Sequence, residues 1–144
     1  MKTIKGNLLD LFDAGEFDTI IHGCNCQHDM GGGIAYQIAQ RYPIAEEVDA
    51  RQELPRLGQI GIVRLPGKKA IINAYTQIQP GADARLIGIT KVFRRLEHYC
   101  WFYEDAGRIG IPMIGAGIGG LEWSDVETVL SRFSLPNVTV VEFG

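Results

Sequence analysis

Apolar and polar positions along the chain change period, and the changes mark out the elements. Thr19-Ile20-Ile21-His22-Gly23-Cys24 is a β-rich apolar run bounded by turn-forming residues, which predicts a strand. Ile60 to Leu65 and Ala70 to Tyr75 predict two more, joined through the turn pair Pro66-Gly67. Thr3 to Lys5 starts a short strand, Arg108 to Ile114 predicts another, and Asn137 to Phe143 the last. Elsewhere the period lengthens. Leu86, Ile89, Phe93, Leu96, Cys100 and Tyr103 recur at spacings of three and four, predicting a helix from Asp83 to Ala106 with Gly107 as its C-cap. Gly33 to Arg41 predicts a helix that stops before Pro43, and Ile44 to Arg51 a second. Ser124-Asp125-Val126-Glu127 has the form of a capping box, and Val126, Val129, Leu130 and Phe133 supply the stripe behind it.

Strands alternating with helices predict an α/β sheet covered by helices on both faces. Ligands in such sheets bind outside the carboxyl ends of the strands. The 144 residues suit a single domain, 1–144, large enough to fold without staples. Apolar residues at 46% and charged residues at 22% argue against disorder. A net charge of −3 argues against general nucleic-acid binding, which needs a basic face. No apolar run approaches the ~20 residues of a membrane helix, and Met1 to Asn7 lack an apolar signal core, so a cytoplasmic setting is expected. Three cysteines, Cys24, Cys26 and Cys100, are an odd number and do not form a disulfide framework.

The unusual total is 18 glycines. Gly31, Gly32 and Gly33 form one cluster, and Gly115, Gly117, Gly119 and Gly120 another. Each falls between a predicted strand and a predicted helix, so both belong at one rim of the sheet. Such loops offer backbone N–H groups and a helix dipole to anions, or they merely turn the chain. Two of them on one rim suggest a diphosphate gripped from both sides. Neither carries Lys or Arg, so backbone dipoles would do the gripping. Gly61 to Lys68 fails the P-loop spacing, and Lys69 stands where Ser or Thr should bind magnesium. Gly115-Ala116-Gly117-Ile118-Gly119-Gly120 matches the dinucleotide pattern, but Leu121-Glu122-Trp123 intervenes before the next helix.

His22-Gly23-Cys24-Asn25-Cys26-Gln27-His28-Asp29 is the densest run of chemically able side chains. On an extended strand His22 and His28 would lie ~20 Å apart, too far for one zinc ion, so no metal is expected. Asn25 falls at the strand end, where its amide could bond a sugar hydroxyl or make a turn. His22 could act as acid or base, or be a satisfied core histidine. The two share a site only if the chain turns near Cys24. His28 and Asp29 read as exposed loop residues that could touch a phosphate or activate water.

At these residues the chain resembles the macrodomain family, and most closely its yeast-type ADP-ribose 1″-phosphatase branch. The resemblance rests on Lys5-Gly6-Asn7-Leu8-Leu9, Ile21 to Cys26, Met30 to Gln37, Arg41-Tyr42-Pro43 and Pro112 to Trp123. It implies a three-layer α/β/α fold with a mixed central sheet. It also implies ADP-ribose or ADP-ribose 1″-phosphate as the ligand, with no cofactor. Gly6, Asn7 and Met30 fall within these motifs and are expected at the ligand. By the resemblance Asn25 would contact the distal ribose. Gly31, Gly32, Gly33 and Ile34 would wrap that ribose and its phosphate. Gly115, Ala116, Gly117, Ile118, Gly119 and Gly120, with Ile114 before them, would hold the diphosphate. Asn7 stands where many macrodomains carry an acidic residue that reads the adenine amino group. Phe143 is the nearest aromatic candidate to stack on adenine.

The resemblance also implies catalysis at His22 with Asn25, directed at the terminal phosphate of ADP-ribose 1″-phosphate. The N–H groups of Gly31 to Gly33 would stabilise charge on the phosphoryl oxygens. A sister branch removes ADP-ribose with a lysine after the middle strand, and its protein-directed members add an aspartate in the second loop. Here Thr76-Gln77-Ile78-Gln79 lacks the lysine, and Gly119 stands in place of the aspartate. A non-catalytic ADP-ribose-binding module and a lysine-independent de-ADP-ribosylating hydrolase are the alternatives.

Overall fold

The computed structural model describes residues 1–53, 55–98 and 105–144. Six strands form one mixed sheet: β1 Lys2–Lys5, β2 Thr19–Cys24, β3 Ile60–Leu65, β4 Lys69–Tyr75, β5 Ile109–Ile111 and β6 Val138–Glu142. Their order is β1-β6-β5-β2-β4-β3, and every pair is parallel except β3 with β4. The parallel strands therefore deliver their carboxyl ends to one rim, and the antiparallel hairpin strand β3 closes an edge. The helices are α1 Leu8–Asp13, α2 Gly33–Arg41, α3 Pro43–Arg51, α4 Leu86–Glu97 and α5 Trp123–Leu130.

Side chains along a strand alternate between faces, and the two cores divide on that parity. Ile20 and Ile71, paired across β2 and β4, pack with Leu9, Phe12, Ile38 and Ala45 beneath α1, α2 and α3. Their neighbours Ile21 and Ile72 pack with Ile89, Val92, Phe93, Leu96, Val126 and Leu130 beneath α4 and α5. Both faces of the sheet are thus covered, which makes the expected α/β/α layering. The chain's continuous apolar strands are a consequence of that double burial.

Four expectations are corrected. Leu8–Asp13 forms a helix that the sequence reading passed over; Asn7 caps it, its side-chain oxygen accepting the Asp10 N–H at 3.0 Å. Ser124 caps nothing, because α5 begins one residue earlier, behind Glu122, and no side chain caps it. β5 ends at Ile111 rather than Ile114. Pro112 follows and has no N–H to continue the ladder. α4 begins at Leu86 rather than Asp83, whose carboxylate instead accepts the N–H groups of Ile78 and Gln79. Cys100 and Tyr103, expected on the α4 stripe, lie outside the described residues. Gly107 takes φ +67° just ahead of β5, while α4 itself is capped at His98.

Candidate functional site: a glycine-lined cleft

Five parallel strands release their chains at one rim, and a cleft of about 930 Å³ opens there. The loop after β2 and the loop after β5 line it together, including Gly31, Gly32, Gly33 and Ile34 from the first and Ile114 through Gly119 from the second. The expected meeting of the two glycine clusters is observed. They touch: a Cβ on Gly33 would sit 3.0 Å from Cδ1 of Ile118, and Gly33 holds φ +58°. Only glycine meets both demands without strain. The N–H groups of Gly32 and Gly33 have no acceptor among the described residues, nor do those of Gly117, Ile118 and Gly119. They form the dipolar cradle expected of the loops.

The Gly31 N–H is an exception to the expected cradle. It donates to Oδ1 of Asp29 at 2.8 Å and so is occupied within the loop. Asp29 is in turn gripped by Asn25. The Asn25 Nδ2 donates to the Asp29 carbonyl at 2.7 Å, while its Oδ1 accepts the N–H of Gln27 at 3.0 Å and of Asp29 at 3.4 Å. Asn25 therefore lines the cleft but chiefly braces the loop, as an Asx turn does.

His22 lies elsewhere. It is fully buried, and it is not among the cleft-lining residues. Its Nε2 lies 2.7 Å from Oδ1 of Asn73, its partner across the sheet, whose Nδ2 donates to the Ala45 carbonyl of α3. Burial holds its pKa down to about 4, so the ring is neutral at neutral pH. The expectation of a catalytic His22 is corrected on this geometry: parity turns it to the α3 face, three residues before Asn25, which follows the strand end and lines the cleft. Next along that face, the Tyr75 hydroxyl donates to the buried Asp49 at 2.6 Å. Burial, reinforced by the Asp49 charge, raises the Cys24 thiol well above its ordinary range. Among the described residues no group of three His, Cys, Asp or Glu is placed to hold a metal ion.

The other predicted residues divide. Gly6, Asn7 and Phe143 line the far end of the cleft, where β1 and β6 finish. Phe143 is 82% exposed and free to cover a ligand. Met30 and Gly120 are not among the lining residues; Met30 is buried in the core beneath α2. The sequence reading missed a whole wall, the loop after β4, from which Thr76, Gln77, Pro80 and Gly81 line the cleft. This loop ties the glycine loops together. Its Ile78 carbonyl accepts the Cys26 N–H at 3.0 Å, and its Ala84 N–H donates to the Gly119 carbonyl at 3.1 Å. Pro80-Gly81 signalled a turn, but nothing local signalled what the turn would touch. The Thr76 hydroxyl is buried with no partner among the described residues, and it fills the space that a Cβ on Gly23 would take, 2.7 Å away.

This fold and this cleft define a class of α/β/α domains with a glycine-lined cleft, and the chain belongs to the Macro domain family, whose model matches residues 21–130. It is 33% identical over 141 residues to the uncharacterized 17.5 kDa protein in the tk-vs intergenic region of Enterobacteria phage T4, with 93% of this chain and 90% of that protein covered. It is 39% identical to an ADP-ribose 1″-phosphate phosphatase of Candida glabrata, covering 96% of each. It is also 33% identical to a DNA ADP-ribosyl glycohydrolase of Mycobacterium tuberculosis, covering 86% of this chain but spanning only 37% of that protein. Among solved structures, the macrodomain of Mycobacterium tuberculosis DarG superposes with a TM-score of 0.76 at 27% identity, over 99% of this chain and 95% of that one.

Proposed function

We propose that the cleft binds an ADP-ribosyl group and that the protein hydrolyses the terminal phosphate of ADP-ribose 1″-phosphate. The observation that carries this is the pair of glycine loops that line one cleft together and hold N–H groups without an acceptor among the described residues. Two separate sets of donors suit a ligand with phosphates at two places. The apolar end, with Leu8, Leu9, Val141 and Phe143, suits a flat base. A relative that matches over 96% of its length carries the phosphatase name. In this reading Gly32 and Gly33 stabilise charge on the phosphoryl oxygens, each such donor being worth ~3–4 kcal/mol of barrier.

One observation favours a second reading, release of ADP-ribose from a glycosidic link. The glycine end of the cleft carries the carboxylate of Asp29, and among the described residues the lining has no lysine or arginine. An anion-lined site suits the positive charge that builds on an anomeric carbon. The test is direct. Phosphate release from ADP-ribose 1″-phosphate and ADP-ribose release from ADP-ribosylated DNA are assayed side by side, with calorimetry on ADP-ribose. Phosphate release supports the first reading and ADP-ribose release the second. Binding with neither makes the protein a reader.

A further inference from the structure

We propose that Asp29 is the general base of this cleft, the group that takes the proton from the attacking water; this rests on the hydrolytic reading above. Among the described residues three titratable side chains line the cleft: Cys24, Asp29 and Glu142. Glu142 ends β6, beside Lys5 of β1 and two strand positions from β2, or ~10 Å away along the sheet. It belongs with the base end. Cys24 is buried and its thiol is held protonated. Of the described titratable residues Asp29 alone stands at the glycine end, and it is exposed.

Its geometry is prepared on three sides. Asn25 holds its backbone N–H and carbonyl, and its own Oδ1 holds the Gly31 N–H. The second oxygen, Oδ2, accepts no hydrogen bond from the described residues. One oxygen thus fixes the loop, and the other is left for a water, in the same loop as the open donors of Gly32 and Gly33, three and four residues on. A base must lie within hydrogen-bond reach of the proton it takes, and a carboxylate locked to the phosphate-holding loop moves with the substrate it serves.

The step balances without a cofactor. The water oxygen bonds to phosphorus while Asp29 takes one of its protons. The bond from phosphorus to the anomeric oxygen breaks, and its electron pair stays on that oxygen. The proton passes from Asp29 to it. ADP-ribose and inorganic phosphate leave, and the carboxylate is restored. On a glycosidic substrate the same proton transfer serves attack at the anomeric carbon.

Asp29→Asn separates this role from a purely structural one, because the amide oxygen still accepts the Gly31 N–H while the base is gone. The variant also removes a negative charge beside a phosphate ligand. It is therefore expected to bind ADP-ribose at least as tightly as the wild type, yet to lose on the order of 10²–10⁴ in kcat on whichever substrate the wild type consumes. Asp29→Ala, which also frees the loop, is expected to lose both binding and turnover. If Asp29→Asn turns over like the wild type, the inference is overturned and the hydrolytic reading survives. If the wild type binds ADP-ribose and consumes neither substrate, both fall.

Discussion

Nε2 of His22 lies 2.7 Å from Oδ1 of Asn73, inside the core and away from the cleft. The pair is a cross-strand structural contact, and its consequence is for stability against pH. The native state keeps His22 neutral with a pKa of about 4, against 6.5 for the free side chain. Below 6.5 the unfolded chain takes up a proton that the native chain refuses. Stability is therefore complete above 6.5 and falls as pH drops toward 4, by on the order of 3 kcal/mol. Urea unfolding at neutral and acid pH should show a steeper loss for the wild type than for His22→Gln. Parallel curves would remove His22 as the source. The variant should lose stability but keep its turnover per folded molecule.

Tyr75 donates to the buried carboxyl of Asp49 at 2.6 Å, which joins β4 to α3. Tyr75→Phe leaves that carboxyl without its donor, at an expected cost of about 1–3 kcal/mol. Asp49→Asn with Tyr75→Phe should cost less than the two single changes summed, because the shared bond is lost only once. Chemical denaturation of the four proteins measures the coupling, and additive costs would refute it.

Asn25 braces the loop that carries the first glycine cluster, through three hydrogen bonds. Asn25→Ala is expected to free that loop and weaken ADP-ribose binding about tenfold or more, as a loss of ~1.4 kcal/mol would. Calorimetry measures it. An unchanged affinity would mean that the loop holds its shape without the brace.

Gly33→Ala asks a residue with a Cβ to hold φ +58° and to press on Ile118. The backbone term alone is ~1–2 kcal/mol. Ligand affinity should fall about tenfold. The double variant with Ile118→Ala should recover little of it, because shortening Ile118 relieves the contact and leaves the backbone strain. Full recovery would assign the effect to the side chain instead.

Thr76→Val removes a buried hydroxyl that has no partner and keeps the shape. The melting temperature should hold or rise. A clear fall would show that the hydroxyl is hydrogen-bonded in solution.

Local patterns sufficed wherever a short stretch of chain decides its own conformation. Thr19 to Cys24 carries its strand in β-rich composition, and Ile89, Phe93 and Leu96 fix one face of α4 by spacing. The two glycine clusters announced loops at one rim, because glycine's freedom is a property of the residue itself. The six residues of α1 were missed because a helix that short has no period to read. What lay beyond the sequence is what separate segments do to one another. Parity allowed His22 to face either the rim or the core, and only the pairing of β2 with β4 beneath α3 sent it to Asn73. The loop from Thr76 to Ala84 became a wall of the cleft by bonding to Cys26 and Gly119, residues tens of positions away. Such contacts depend on where the sheet places each strand end, and packing sets that order rather than any local preference of the chain.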